Sequence, residues 1–267
     1  MPFLCGGHPR PGVTRALIPA LERAGASIVE VGIPFSDPIA DGSVIAAAMH
    51  EALAAGATPI SIFDEVAGAR AECTIGIVAM VSISILQRAS TPERFVANAQ
   101  GAGFDGLIVP DCPPEEAGSL VRACADAGIT LSFLIAPSTS PKRAELIMRA
   151  STGFVYLLAR TGITGEQAGA PDIEGRVTRL RQMTDLPIAV GFGISTAEHV
   201  KAVVQHADAA IVGSALVRRI GQAAMDGADP VAAGTEFIRH LATGLGTIGT
   251  GTAANGIEGV VPGGVER

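Results

Sequence analysis

The sequence predicts a single α/β domain, a closed (β/α)8 barrel, and three observations carry that prediction. Short apolar segments and helical segments alternate about eight times through residue 245. The strand-like runs, such as TIGIVAMV at 74–81, are almost continuously apolar, as parallel strands covered on both faces must be. The 267 residues, 48% of them hydrophobic, fit one barrel of about 250 residues, and no linker or composition shift divides them. Eight repeats in one unit favour closure over an open doubly wound sheet.

The elements follow in order. Residues 3–5 form a first short strand, ended by Gly6 and Gly7. Residues 14–24 are helical, with Pro19 a local conflict and Gly25 a stop. IVEVG at 28–32 is a strand. Helices follow at 43–55, ended by Gly56, and at 60–71, opened by Thr58 and Pro59. Strand three is 74–81, the next helix 92–100 and strand four 106–109. Pro113, Pro114, Glu115 and Glu116 open the next helix, where Pro and acids suit an N-terminus. Strand five spans 130–135, a helix 141–150, strand six 154–158, a helix 173–183 and strand seven 187–190. A helix at 195–206, strand eight at 209–212 and a helix at 229–245 complete the domain, 1–245. The tail, 246–267, is rich in Gly, Thr and Ala, lacks periodicity and is expected to be poorly ordered.

Composition removes several function classes. A net charge of -7 without a basic run argues against nucleic acid and anionic membranes. The four Cys lack zinc spacing and suit free thiols in a reducing cytoplasm. The five His show no paired metal spacing. The start is unlike a signal peptide, and no apolar run approaches the ~20 residues needed to cross a bilayer.

The chemistry gathers at strand ends. Val29 and Val31 share one face of strand two; Ile28 and Glu30 share the other. No capping role explains an acid inside a strand, so Glu30 is a candidate catalytic group. The loop that follows, GIPFSDPIADG, carries Asp41, which is either a helix cap or a second functional acid. Glycine-bearing turns sit after strands six, seven and eight: residues 161–165 with Thr164 and Gly165, residues 191–195 with Gly193, and Gly213-Ser214. Ser195 and Glu198 fit a capping box. Three such turns at consecutive strand ends, two of them opening helices, point to phosphate.

The motifs VEVGIPFSDPIADG (29–42), FDGLIVPDCPPEEA (104–117), GFVYLLARTGITG (153–165), LPIAVGFGIS (186–195) and AAIVGSALV (209–217) resemble those of the tryptophan synthase alpha subunit. The resemblance spans residue 2 to about 220. It implies a (β/α)8 lyase that splits indole-3-glycerol phosphate into indole and glyceraldehyde 3-phosphate, the last step of tryptophan biosynthesis. It implies no cofactor in this chain; pyridoxal phosphate belongs to a beta-subunit partner in an alpha2-beta2 tetramer. By motif, Glu30 matches the acid-base glutamate and Asp41 the indole-binding aspartate. Gly165, Gly193, Gly213 and Ser214 match phosphate contacts. Phe3 and Phe192 match the indole pocket, and Tyr156 and Thr164 the strand and loop that close over substrate.

The chain departs from the family's pattern in four places. It begins almost at the first strand, without the usual preceding helix. His8 and Ser43 stand where the family has Asp and Pro. In the segment 81–85, Ser82 and Ser84 stand where large polar groups are usual, which implies a looser pocket and weaker coupling to a beta subunit. Competing readings are another phosphate-binding barrel, such as a phosphosugar isomerase or indole-glycerol-phosphate synthase, and a catalytically weakened regulatory subunit. A catalytic Lys would be expected in that synthase, but Lys142 and Lys201 fall on helices.

Overall fold

The computed structural model describes residues 1–38, 41–88, 91–159, 173–191 and 193–246. Strands β1 (Phe3–Cys5), β2 (Ile28–Gly32), β3 (Gly76–Met80), β4 (Gly106–Ile108) and β5 (Thr130–Ser132) pair in parallel and in chain order. β6 (Leu134–Ile135), β7 (Val155–Leu158), β8 (Ile188–Gly191) and β9 (Ala209–Ala210) continue the same arrangement. A parallel bridge between Pro2 and Val212 closes the ring. There the Phe3 N–H donates to the Val212 carbonyl and the Val212 N–H to the Met1 carbonyl, each at 2.9 Å. The predicted barrel is therefore the observed one, and closure leaves no unpaired sheet edge among the described residues.

Around it lie α1 (Val13–Arg23), α2 (Ser43–Ala54), α3 (Pro59–Arg70), α4 (Ile83–Arg88), α5 (Pro92–Gly101) and α6 (Gly118–Ala127). They are followed by α7 (Pro141–Ala150), α8 (Glu174–Arg181), α9 (Ala197–Val204), α10 (Ser214–Met225) and α11 (Pro230–Ala242). No single helix among the described residues is long and apolar enough to cross a membrane.

The two-residue period of the strands divides the apolar side chains into two cores. Val29, Val31, Ile77, Leu107, Val155 and Val190 pack outward in the cluster that includes the helices. Val78, Ile108, Phe154, Tyr156, Ala189 and Ile211 form a smaller cluster inside the barrel. Glu30 pairs in register with Phe3 on one side and Val78 on the other, which fixes its side chain on the inner face.

Two carboxylates tie down the opposite, N-terminal end of the barrel. One oxygen of Asp105 accepts from the Ile77 N–H at 2.7 Å and from Arg70 at 2.6 Å. One oxygen of Asp208 accepts from the Ile188 N–H at 2.8 Å and from Arg181 at 3.0 Å. In each case the acid just before one strand stitches the start of its neighbour to an Arg at the end of the preceding helix.

Several expected boundaries change for identifiable reasons. The predicted fifth strand is two pieces, because the Phe133 N–H leaves the ladder for Ser151 Oγ at 3.2 Å. Residues 113–116 do not open a helix; they form turns, and α6 begins at Gly118. The cap of α9 is Thr196, not Ser195: its side chain accepts from the His199 N–H at 3.2 Å. Residues 83–88, which carried no expected element, form α4, and Asp111 from the loop after β4 accepts from the Ile83 N–H at 2.8 Å. The predicted tail beyond Gly246 lies outside the described residues.

Candidate active site

The centre of the site is Glu30. Its side chain is 0% exposed, and neither carboxyl oxygen has a hydrogen-bond partner among the described residues. Burial disfavours the charged form and pushes the carboxyl up to about 8, against a smaller opposing pull from the amino group of Met1. An unpaired buried carboxyl is costly to fold around, and nothing in the strand requires one.

Asp41 stands at the C-terminal end of β2, beyond the loop. The cap of α2 is Gly42 and not Asp41, so the capping reading is set aside. Burial raises the Asp41 carboxyl to about 6. Glu30 and Asp41 converge on Tyr156: burial first, then each carboxylate, drives its phenol well above the usual range. The two acids and the phenol thus occupy one electrostatic neighbourhood.

The aromatic side chains are placed by glycines. A Cβ on Gly32 would lie 2.6 Å from the Phe3 ring, and one on Gly191 would lie 2.5 Å from the Tyr156 hydroxyl. Both rings therefore lean along their sheet toward the C-terminal ends of the strands, over positions that only glycine can occupy. That end is the mouth of the barrel, where loops carry chemistry in this architecture.

The turns at Gly193 and Gly213 also lie at the mouth. Gly193 has φ 79°, a conformation that favours glycine. Gly213 directly precedes α10, whose first residue, Ser214, is buried. The first N–H groups of a helix have no intrahelical acceptor, and the helix dipole favours an anion there. Thr164, Gly165 and Phe192, the remaining expected site residues, lie outside the described residues.

The segment 81–85 is tied to the loop after β4. Ser82 Oγ donates to Asp111 at 2.6 Å, and the Ser84 N–H donates back to Ser82 Oγ at 3.2 Å. A small hydroxyl and a distant acid thus fix the turn where larger polar groups were expected.

Three residues near the mouth have no role in the sequence reading beyond the departure noted at His8. Arg176, in the first turn of α8, donates to the carbonyls of Leu158 at 2.7 Å and Ala159 at 3.3 Å, at the C-terminal end of β7. His8 is buried with Nδ1 3.2 Å from Glu51, close enough for an ion pair but without hydrogen-bond geometry. Burial lowers its pKa more than Glu51 and the Val217 backbone raise it. Cys5 is pushed up to about 12 by burial, then by Asp41 and Glu51, so its thiol stays protonated. An Arg where a helix favours acids was the one local signal available.

Comparison with known proteins agrees with this geometry. The profile of the family described as tryptophan synthase alpha chain matches residues 1–245. The tryptophan synthase alpha chain of Halorhodospira halophila is 43% identical over 223 residues, which cover 83% of this chain and 82% of that one. The crystal structure of the alpha subunit from Legionella pneumophila superposes with a TM-score of 0.84 at 31% identity, covering 91% of each chain. A chain of the Pyrococcus furiosus tryptophan synthase complex does so with a TM-score of 0.81 at 32% identity, covering 91% of this chain and 96% of that one.

Proposed function

The chain belongs to the tryptophan synthase alpha-chain family, and from that premise we propose that it cleaves indole-3-glycerol phosphate to indole and glyceraldehyde 3-phosphate with Glu30 as the proton carrier. The observation that carries this assignment is the inward-facing, fully buried carboxyl of Glu30, unpartnered among the described residues.

The reaction breaks the bond between indole C3 and the first carbon of the glycerol chain. A proton must reach C3, and another must leave the hydroxyl on that carbon as it becomes an aldehyde. With its carboxyl near 8, Glu30 is mostly protonated at neutral pH and supplies the first proton. The carboxylate left behind takes the second, so the enzyme ends in its starting state. Asp41, near 6, is mostly ionised at the same pH and stabilises the positive charge that develops on the indole ring. Two acids whose surroundings hold their pKa values apart thereby take different roles. Phe3 and Phe192 hold the ring, Tyr156 and Thr164 belong to the strand and loop over the substrate, and Gly165, Gly193, Gly213 and Ser214 take the phosphate. As written, the step needs only proton transfers, so no cofactor is assigned to this chain.

Lys142 and Lys201 lie on α7 and α9 and not on a strand, and both are exposed, which weighs against a lysine-dependent barrel. Family membership supports a beta subunit as partner, and the Ser82–Asp111 contact lies in the segment proposed to face it. All four cysteines are free, which fits a cytoplasmic setting. The test is indole release from indole-3-glycerol phosphate by the chain alone and with beta subunit titrated in. Release by the chain alone, raised by the subunit, is expected; no release under either condition overturns the assignment. Inorganic phosphate should also raise the melting temperature, as a ligand of the native state does.

A further inference from the structure

Arg176 stands where a helix gains least from a cation. It is partly buried in the first turn of α8, at the positive end of the helix dipole. Burial first, then Arg179, lowers its pKa. One terminal nitrogen, Nη2, is buried and has no partner among the described residues. Against these costs stand two hydrogen bonds from Nη1, to the carbonyls of Leu158 and Ala159. α8 itself takes nothing from them, since both acceptors belong to the end of β7.

That strand carries Tyr156. Leu158 follows it on the same inner face, two residues on. The Ala159 N–H donates to the Gly191 carbonyl at 2.9 Å, just past the register pair of Leu158 with Gly191. Gly191 in turn is the bare position beneath the Tyr156 ring, where a Cβ would lie 2.5 Å from the hydroxyl. The contacts therefore run without a gap from the guanidinium to Ala159, from Ala159 to Gly191, and from Gly191 to the phenol. The charge of Arg176 does not extend to the two acids: the raised pKa values of Glu30 and Asp41 come from burial, and Arg176 is among the causes of neither.

We propose that Arg176 is a positioning residue for Tyr156: through the carbonyls of Leu158 and Ala159 and the bond to Gly191, it holds the phenol in the neighbourhood that it shares with Glu30 and Asp41. The kinetic part of the proposal rests on the reaction proposed above; the placement of the ring does not. Tyr156 is the only tyrosine of a chain without tryptophan, so ring-labelled tyrosine reports on it alone in carbon NMR. The test compares the parent with Arg176→Met, Arg176→Lys and Asp208→Ala. Met keeps an unbranched stem and removes every donor, while Lys keeps a donor for one carbonyl. Asp208→Ala removes a backbone hydrogen bond at the floor and controls for general loosening. The Tyr156 signals should move or split in Arg176→Met, return toward the parent in Arg176→Lys and stay in place in Asp208→Ala. In the cleavage assay, Arg176→Met should raise KM by about tenfold, keep kcat within about twofold of the parent and leave the pH profile unmoved. Ring signals in Arg176→Met that match the parent overturn the proposal. So do signals that move as far in Asp208→Ala, or a Lys variant displaced as far as Met. A shifted pH profile would mean action by charge and overturns it too. If the parent cleaves no substrate, the proposed reaction falls, and the ring signals still decide the role of Arg176.

Discussion

The two ends of the barrel use the same functional group in opposite ways. At the floor, Asp105 and Asp208 each hold a strand N–H and an arginine. Toward the mouth, Glu30 is more deeply buried than either and holds no hydrogen-bond partner among the described residues. The floor acids satisfy backbone donors that would otherwise be costly, so they stabilise the sheet. Glu30 meets no structural need, and its pKa is raised accordingly. The contrast separates stabilising from functional carboxylates without reference to any relative: the acid that the fold would be more stable without is the one that carries chemistry.

The largest expected effect comes from Glu30→Gln. Loss of a general acid-base group should lower kcat for indole release by about 10²–10⁴-fold. Stability should move the other way. Because the folded pKa lies above the ordinary one, the native state binds more protons than the unfolded state between about 4.5 and about 8. Stability contributed by the protonated form is therefore lost as pH rises through that window. Thermal unfolding should show Glu30→Gln more stable than the parent above pH 8, by something on the order of a few kcal/mol. A destabilised Gln variant at that pH would break the comparison.

Asp41→Asn comes next. Turnover should fall by about ten- to a hundred-fold as the charge opposite the indole ring is lost, with the melting temperature unchanged because Gly42 caps α2. In the parent, kcat/KM should rise as Asp41 ionises near 6 and fall as Glu30 ionises near 8. In Asp41→Asn the acidic limb should vanish and the basic limb remain.

The smallest effect belongs to the floor. Asp208→Ala should cost about 1–2 kcal/mol in chemical denaturation, since the Ile188 N–H loses its acceptor at a partly exposed site. Turnover per folded molecule should not change. A large activity loss with normal stability would erase the distinction between the ends.

What the sequence made legible follows from the range of the interactions. The cap at Thr58 acts within a few residues and was readable from local pattern. Glu30 was readable because a charge in an apolar strand is a local anomaly. α4 was not, since its N-terminal acceptor, Asp111, lies 28 residues downstream. The break at Phe133 depends on Ser151, 18 residues away. The engagement of Arg176 with the carbonyls of Leu158 and Ala159 is hidden for the same reason. Asp41 lay between these cases: its spacing before a helix fitted a cap, and only the geometry at Gly42 decided against it.

The most direct measurement is a titration of the Glu30 carboxyl by carbon NMR, with carboxyl-labelled glutamate in the folded chain and Glu30→Gln to assign the resonance. A midpoint near 8, absent from the Gln variant, is the predicted result. A midpoint in the ordinary glutamate range, near 4.5, would mean that Glu30 is solvated or paired, and would contradict its role as the proton carrier.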